Sequence, residues 1–294
     1  MTVNPEGLLV LNKPVGMTSR EAVDRASLWF PRSTRIGHTG TLDPLASGVL
    51  VLCVGSATRL VEHVQAMSKV YRSTFRLGAV STTEDGEGTI TPHPEASDPG
   101  AAAVYVALQS FVGTINQVPP AFSAARIEGK RAHALARKGT EVALSPRQVQ
   151  IHRIDLMDYT YPDVEVEIHC GKGTYIRSLA RDVGDHLGVG AYVHALHRVQ
   201  VGPFRDVDGV PFEVPAQQAM QRLLPREQAL SELPRLVISA EQAARMRQGQ
   251  KLALAIPDEV SPGELAVFEA SGRMVGVALW RGPGSLVRPT KIVS

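Results

Sequence analysis

The chain has 294 residues, of which 44% are hydrophobic, 20% charged and 5% aromatic, and its formal net charge is +2. That composition is ordinary for a soluble globular protein, without low-complexity tracts or internal repeats, and leaves room for a main domain plus a smaller one. No run approaches the roughly eighteen uninterrupted apolar residues of a membrane span. No basic start followed by an apolar run opens the chain, so a cytoplasmic, unanchored protein is expected.

In chain order, GLLVLNKP reads as a short buried strand ending at Pro14. Thr18 with Glu21 fits a capping box that opens a helix through about Trp29. A Gly-rich loop follows, then a strand over 48–55, and Ser56 is placed to cap a helix through about Ala66. Residues 69–79 read as a further strand and the acidic segment after it as a loop. Asp98-Pro99 is expected to start a helix ending at Gly113, with Pro at the first helical position. Residues 119–139 read as a turn joined to a short basic helix. Val164, Val166, Ile168 and Cys170 alternate with Glu165, Glu167 and His169, the pattern of a half-buried strand. A helix over 174–188 and a strand over 191–202 complete the first part. The interleaving lacks regular βαβ spacing, and the half-solvated strands point to antiparallel pairing, so residues 1–232 read as α+β. From about 236 the character changes. Ser239 and Gln242 cap a short helix ending at Gly249, and short apolar runs broken by Gly and Pro then suggest a small β-rich module over 236–294.

Charge is segregated along the chain. Residues 84–98 hold five acids and no Lys or Arg, whereas 121–150 hold six bases against two acids. Such a basic stretch suits a polyanion, and equally a solvated helix surface. Cys53 and Cys170 lie in apolar strand-like runs and read as core residues, not as a disulfide framework.

Three tempting patterns fail on spacing. HCGKGTY has Gly173 where a phosphate loop needs Ser or Thr after the Lys. His194 and His197 would face opposite sides of a strand, with no acid or Cys joining them, so no metal is expected. No Gly-x-Ser-x-Gly stands between a strand and a helix. What remains is Asp43, between Leu42 and Pro44 in RIGHTGTLDPLASGVL. Pro44 biases it toward an extended conformation. Its carboxylate either closes an Asx-type turn or stands as a nucleophile or base that needs a cationic partner, for which Arg177 is a candidate.

NKPVGMTS, RIGHTGTLDPLASGVL, KVYRSTFRLG and GKGTYIRSLARDVG, in that order, closely resemble the TruB-type tRNA pseudouridine synthases over residues 7–205. The tail resembles, by layout more than by motif, the PUA RNA-binding domain that often ends these enzymes. The resemblance implies a pseudouridine synthase fold, with a central mainly antiparallel sheet flanked by helices, and conversion of the T-loop uridine at tRNA position 55. The reaction it implies is redox-neutral and uses no cofactor or metal.

By the same resemblance Asp43 is the essential carboxylate, acting on the sugar or the base, and Arg177 is its partner. Tyr71 packs on the target base and assists proton removal, and Tyr175 lines the pocket. His38, taken as a loop-tip imidazole, enters the T-loop where a base has flipped. Lys13 lies near the active-site floor, Leu196 walls the uracil pocket and Asp85 is a pocket-proximal acid. Read as bare residues, Lys13 is an exposed strand-end charge, Tyr71 a strand aromatic and Leu196 core. The 121–150 stretch corresponds to an RNA-clamping thumb, with Arg126, Lys130 and Arg131 on phosphates. Three positions depart from the pattern: Thr82 where relatives often carry Asp, Phe122 for Tyr and Arg126 for Lys, which puts thumb contacts in doubt rather than the reaction. Two other readings remain: an enzyme of this fold working inside a guide-RNA particle, and a tRNA-folding helper. The chain begins shortly before its first strand and ends on its last strand-like run, without added charged tails. That favours stand-alone action on the tRNA T-stem-loop with no obligate protein partner; a monomer and no membrane association are expected as well.

Overall fold

A computed structural model describes residues 4–94, 96–123, 126–127, 130–131 and 144–293. In chain order its first part holds β1 (Gly7–Lys13), α1 (Ser19–Ser27), β2 (Ile36–His38), β3 (Ala46–Val54), α2 (Val61–Ala66), β4 (Lys69–Leu77), β5 (Ala79–Ser81), β6 (Ile90–Pro92), α3 (Ala101–Ser110) and β7 (Gly113–Gln117). Then come β8 (Arg126–Ile127), β9 (Lys130–Arg131), β10 (Arg147–Thr160), β11 (Asp163–Cys170), α4 (Ile176–Leu187), β12 (Ala191–Val201), β13 (Phe204–Arg205) and α5 (Ala216–Gln221). The last part is β14 (Arg235–Ile238), α6 (Ala240–Arg247), β15 (Gly263–Glu269), β16 (Met274–Trp280) and β17 (Arg288–Ile292).

The main sheet runs β1-β3-β12-β4-β11-β10-β7, with β2 on β3 and β13 on β12. Every pairing in it is antiparallel except β12 on β3. β1 and β3 are apolar on both faces because both faces are covered. Leu9, Leu11, Leu50 and Leu52 pack with Ala22, Val23 and Ala26 of α1, in the same core as Leu179 and Val183 of α4. Their neighbours in sequence, Leu8, Val10, Val49 and Val51, point the other way, onto Ala266, Phe268 and Val277 of the second sheet. That second sheet, β14-β15-β16-β17, has its own core of Leu236, Ile238, Met246, Val267 and Trp280. Arg59 Nη1 donates to the Ile292 carbonyl at 3.4 Å, and Lys291 pairs with Glu62, tying the 55–60 turn and α2 to β17 of the second sheet.

The Thr18–Glu21 and Ser239–Gln242 capping boxes form as the sequence predicts. Several expected boundaries differ, for local reasons. Ser56 caps nothing: residues 55–60 make a 3₁₀ turn, α2 starts at Val61, and the Ser56 hydroxyl donates to Glu6 and accepts from Arg226 Nη1. Pro99 is not helical. Gly100, at φ 82°, breaks the chain between Asp98 and α3, and its N–H donates to Asp98 Oδ1 at 2.8 Å. The acidic loop contains the β5–β6 hairpin, whose edge position tolerates Pro92. Residues 126–127 and 130–131 pair as strands where a basic helix is expected, and 132–143 lie outside the described residues. β2 and the long β10 are additions to the sequence reading.

The parallel β3–β12 junction needs a residue without a side chain. Gly48 has φ +100°, and a Cβ there would stand 2.3 Å from the Arg198 carbonyl oxygen. Gly48→Ala is therefore expected to destabilise the fold by roughly 3 kcal/mol, from strain plus overpacking, measured by urea unfolding. Wild-type stability would show that the strands separate freely at this point.

Candidate active site

The loop carrying Asp43 is pinned on both sides before any partner is considered. Thr39 donates both N–H and hydroxyl to the Val51 carbonyl, at 3.0 and 3.1 Å. Ser19 Oγ accepts from Leu42 N at 2.8 Å and donates to Leu42 O at 2.9 Å. Gly16 N donates to Pro44 O at 2.7 Å, and Ala46 N closes on Asp43 O at 3.0 Å. The turn is thus made by the Asp43 main chain, which frees its carboxylate for Arg177.

Arg177 stands in the first turn of α4 and is buried. Its Nε meets Asp43 Oδ2 at 2.9 Å and its Nη1 meets Asp85 Oδ2 at 3.3 Å. Nη1 also donates to Thr83 O and Nη2 to Phe122 O, each at 3.0 Å. A cation near a helix N-terminus opposes the helix dipole; the two carboxylates and two carbonyls offset that and the loss of water. Asp85 is positioned by the Glu87 N–H at 3.1 Å and by the Thr83 hydroxyl. Between Thr83 and Asp85, Glu84 adopts φ 62°, unusual for a non-glycine residue. Its carboxylate accepts from Ser178 Oγ at 3.0 Å and pairs with Arg181, tying the acidic turn to α4.

Burial raises the Asp43 carboxyl above the ordinary aspartate range. The Arg177 guanidinium opposes that rise, the Asp85 charge adds to it, and Lys13 acts with Arg177. Lys13 is fully buried, not an exposed strand-end charge: its Nζ donates to Pro14 O at 2.9 Å and Met17 O at 2.6 Å. Burial holds its amine down at about 8. Tyr71 is buried too, and burial raises its phenol, so the hydroxyl is protonated at neutral pH.

Asp43 and Arg177 stand where two hollows meet. The smaller, about 260 Å³, is walled by Tyr71, Tyr175, Leu196, Lys69 and Arg198. At ~30 Å³ per water that is room for about nine waters, more than a flat pyrimidine ring fills. The larger, about 680 Å³, brings in His38, Asp85, Glu87 and Phe122. Asp43, Tyr71, Arg177, Tyr175, Leu196 and Asp85 therefore converge from distant parts of the chain, with Lys13 close behind. His38 borders the larger hollow from strand β2, paired with Leu52, and not from a loop tip. The side chains of Arg126, Lys130 and Arg131 lie outside those described.

Lys69 and Arg198 escape the sequence reading, although Lys69 stands in phase with the buried positions Tyr71, Ser73 and Phe75. Arg198 Nε donates to Val49 O at 2.7 Å and Nη2 to Gly40 O at 3.1 Å, bracing the Asp43 loop from below. His194 and His197 line one cleft together, because β12 bulges between Val193 and Ala195. His197 bridges Ser47 Oγ and Asp206 Oδ2, each at 2.8 Å, and so locks β12 to β3 behind Leu196. Asp155, Glu167 and His169 also converge, but Arg153 and Arg72 fill the place of a cation there, at 2.6 Å from Asp155 and 3.0 Å from Glu167.

Comparison with known proteins identifies the family. The family model of the TruB pseudouridylate synthase N-terminal domain matches residues 29–176, across Asp43 and Tyr71 to the start of α4. The chain belongs to the TruB family. Two C-terminal models continue the match: the tRNA pseudouridylate synthase B C-terminal domain over 177–244 and the pseudouridine synthase II TruB C-terminal domain over 234–293. A tRNA pseudouridine synthase B of Burkholderia mallei is 39% identical over 98% of this chain and 97% of its own. One of Cutibacterium acnes is 39% identical over 96% and 95%. Among solved structures, a chain of a Cbf5–Nop10–Gar1 complex aligns with TM-score 0.75 at 24% identity, over 98% of this chain and 85% of its own. A chain of an H/ACA RNP bound to a substrate RNA aligns at 0.74 and 22%, over 98% and 84%. At that identity the two structures speak for the fold. This TruB-family chain is a tRNA pseudouridine synthase.

Asp43→Asn is expected to remove product formation without lowering the unfolding temperature. A carboxyl raised on folding costs stability while ionised, above its unfolded pKa, so neutralising it relieves that cost. A drop of several degrees in calorimetry would show that the pair serves the fold instead. Wild-type activity should fall with acidification through a midpoint above the ordinary aspartate range near 3.9, read as the single-turnover rate against pH.

Proposed function

We propose that this tRNA pseudouridine synthase isomerises the T-loop uridine at position 55 through Asp43, on a nucleotide everted into the hollow between Tyr71 and Tyr175. In the isomerisation the N1–C1′ bond breaks and a C5–C1′ bond forms; the C5 proton is lost and N1 gains one. What the chain must supply is a carboxylate beside the sugar–base junction, a place for the C5 proton, and walls that keep the detached base from leaving. The observation that carries the reading is the Asp43–Arg177 pair at 2.9 Å, with Asp43 still open to the hollow. Arg177 preserves the charged form and aims one carboxylate oxygen. Tyr71, kept a phenol by burial, packs beside the base and relays the C5 proton. Leu196 and Tyr175 form the apolar walls, His38 at the larger hollow contacts the opened T-loop, and Lys13 adds positive potential beneath Asp43.

Residues 1–232 form the catalytic unit and 236–294 a PUA-like RNA-binding unit, with the basic stretch 121–150 as the clamp. The protein acts as a cytoplasmic monomer on tRNA directly, needs no guide RNA, partner protein or cofactor, and opens the T-loop as part of binding. Among the described residues no helix is long and apolar enough to cross a membrane.

Purified protein alone is expected to form pseudouridine in a bare T-stem-loop transcript; absence of product would point instead to a guide-RNA particle. Lys130→Ala or Arg131→Ala should weaken tRNA binding and reduce the slope of log affinity against log salt by about one contact each. An unchanged slope would remove the clamp from the interface. If Asp43→Asn binds as tightly as wild type yet makes no product, chemistry and tRNA remodelling are separable; retained product would end the Asp43 assignment.

A further inference from the structure

Gln117 is the last residue of β7, where the sheet hands the chain to segment 118–123. Its side chain is 1% exposed and bonds the main chain of one residue twice. Tyr175 N donates to Gln117 Oε1 at 2.8 Å, and Gln117 Nε2 donates to Tyr175 O at 3.1 Å. Tyr175 is the residue from which α4 departs, and that helix has no side-chain cap. The amide thus pairs with Tyr175 as a neighbouring strand residue would. Arg177 follows two residues later, so a small tilt of the first turn is magnified at the end of its long side chain.

The same segment grips α4 three more times. Val118 O accepts from Ser178 Oγ at 2.8 Å and from Arg181 Nη2 at 3.1 Å. Phe122 O accepts from Arg177 Nη2 at 3.0 Å. Residues 117–122 are therefore both the root of the basic stretch and a splint along the α4 face that carries Arg177. Gln117 itself lines neither hollow.

We propose that Gln117 is a positioning residue for the Asp43–Arg177 pair, coupling the end of β7 to the start of α4 and so to the aim of the guanidinium. The inference rests on the reading of Asp43 as the essential carboxylate. A purely structural amide would affect stability and overall folding, whereas a positioning amide leaves a mark on Asp43. That carboxyl is faced by Arg177 from α4, Asp85 and Glu87 from the acidic turn, Lys13 from β1 and Tyr71 from β4. Only Arg177 among these is held by the 117–122 segment.

The test uses Gln117→Met, which is nearly isosteric and removes both bonds, and Gln117→Glu, which keeps the acceptor for Tyr175 N. Single-turnover pseudouridine formation on a tRNA transcript is measured from pH 5 to 9, with tRNA affinity and thermal unfolding alongside. Gln117→Met is expected to slow the reaction at neutral pH by about 10- to 100-fold, as a misplaced group about 1 Å out of line does. Its affinity should stay within about threefold, and its acid limb should move upward as Arg177 loses its hold on Asp43. Gln117→Glu should fall between it and wild type. A folded Gln117→Met with the wild-type rate and acid limb overturns the proposal. So does a slower variant whose acid limb is unmoved. If Gln117→Met does not fold, the uncharged Gln117→Asn, too short to keep both bonds to Tyr175, decides in the same way. Asp43→Asn runs in parallel: product from it removes the catalytic reading itself, whereas an inert Asp43→Asn beside an unaffected Gln117→Met removes only the coupling.

Discussion

Everything at the centre of this molecule turns on one buried guanidinium. Arg177 joins two carboxylates and two main-chain carbonyls that arrive from separate parts of the chain. Such a hub is costly to bury unless each of its donors meets an acceptor. The fold meets that condition by building the partners into fixed frames. Asp43 sits in a loop bonded to α1 and β3, Asp85 in a turn bridged to Val193 of β12, and Phe122 beyond β7. Disturbing any frame moves the same guanidinium.

The electrostatics follow from that arrangement. Burial makes ionisation of Asp43 harder and the Asp85 charge adds to that, while Arg177 and Lys13 work the other way. The outcome is a carboxylate whose ionised form is held at a cost to the fold. The same logic covers Lys13, buried among carbonyls at the edge of the sheet with its amine held near 8, and Glu84, whose strained backbone is kept in place by Ser178 and Arg181.

How much of this was legible beforehand depended on whether the determining contacts are local. Both capping boxes were readable because Ser or Thr and its partner stand three residues apart. The Asp43 signature and the Tyr71, Arg177 and Leu196 assignments came from resemblance, and the geometry brings them together. Long-range bonds left no trace: Thr83 O and Phe122 O reach Arg177 across 94 and 55 residues of sequence. β10 was hidden because its bulges, between Ile151 and Arg153 and between Leu156 and Asp158, interrupt the alternation that marks a strand. Lys13 reads as exposed because a lysine usually is; its bonds to Pro14 O and Met17 O are local, but its full burial comes from the surrounding fold. His38 reads as a loop residue because a three-residue strand is too short to give a periodic signal.

The most direct measurement is a structure of the protein bound to a T-stem-loop RNA. The target uridine is expected everted into the hollow walled by Tyr71, Tyr175 and Leu196. An Asp43 oxygen should then lie within ~3.5 Å of the sugar–base junction, with the Arg177 contact intact. A base bound elsewhere, or an Asp43 turned away from the nucleotide while Arg177 pairs with Asp85 alone, would contradict it.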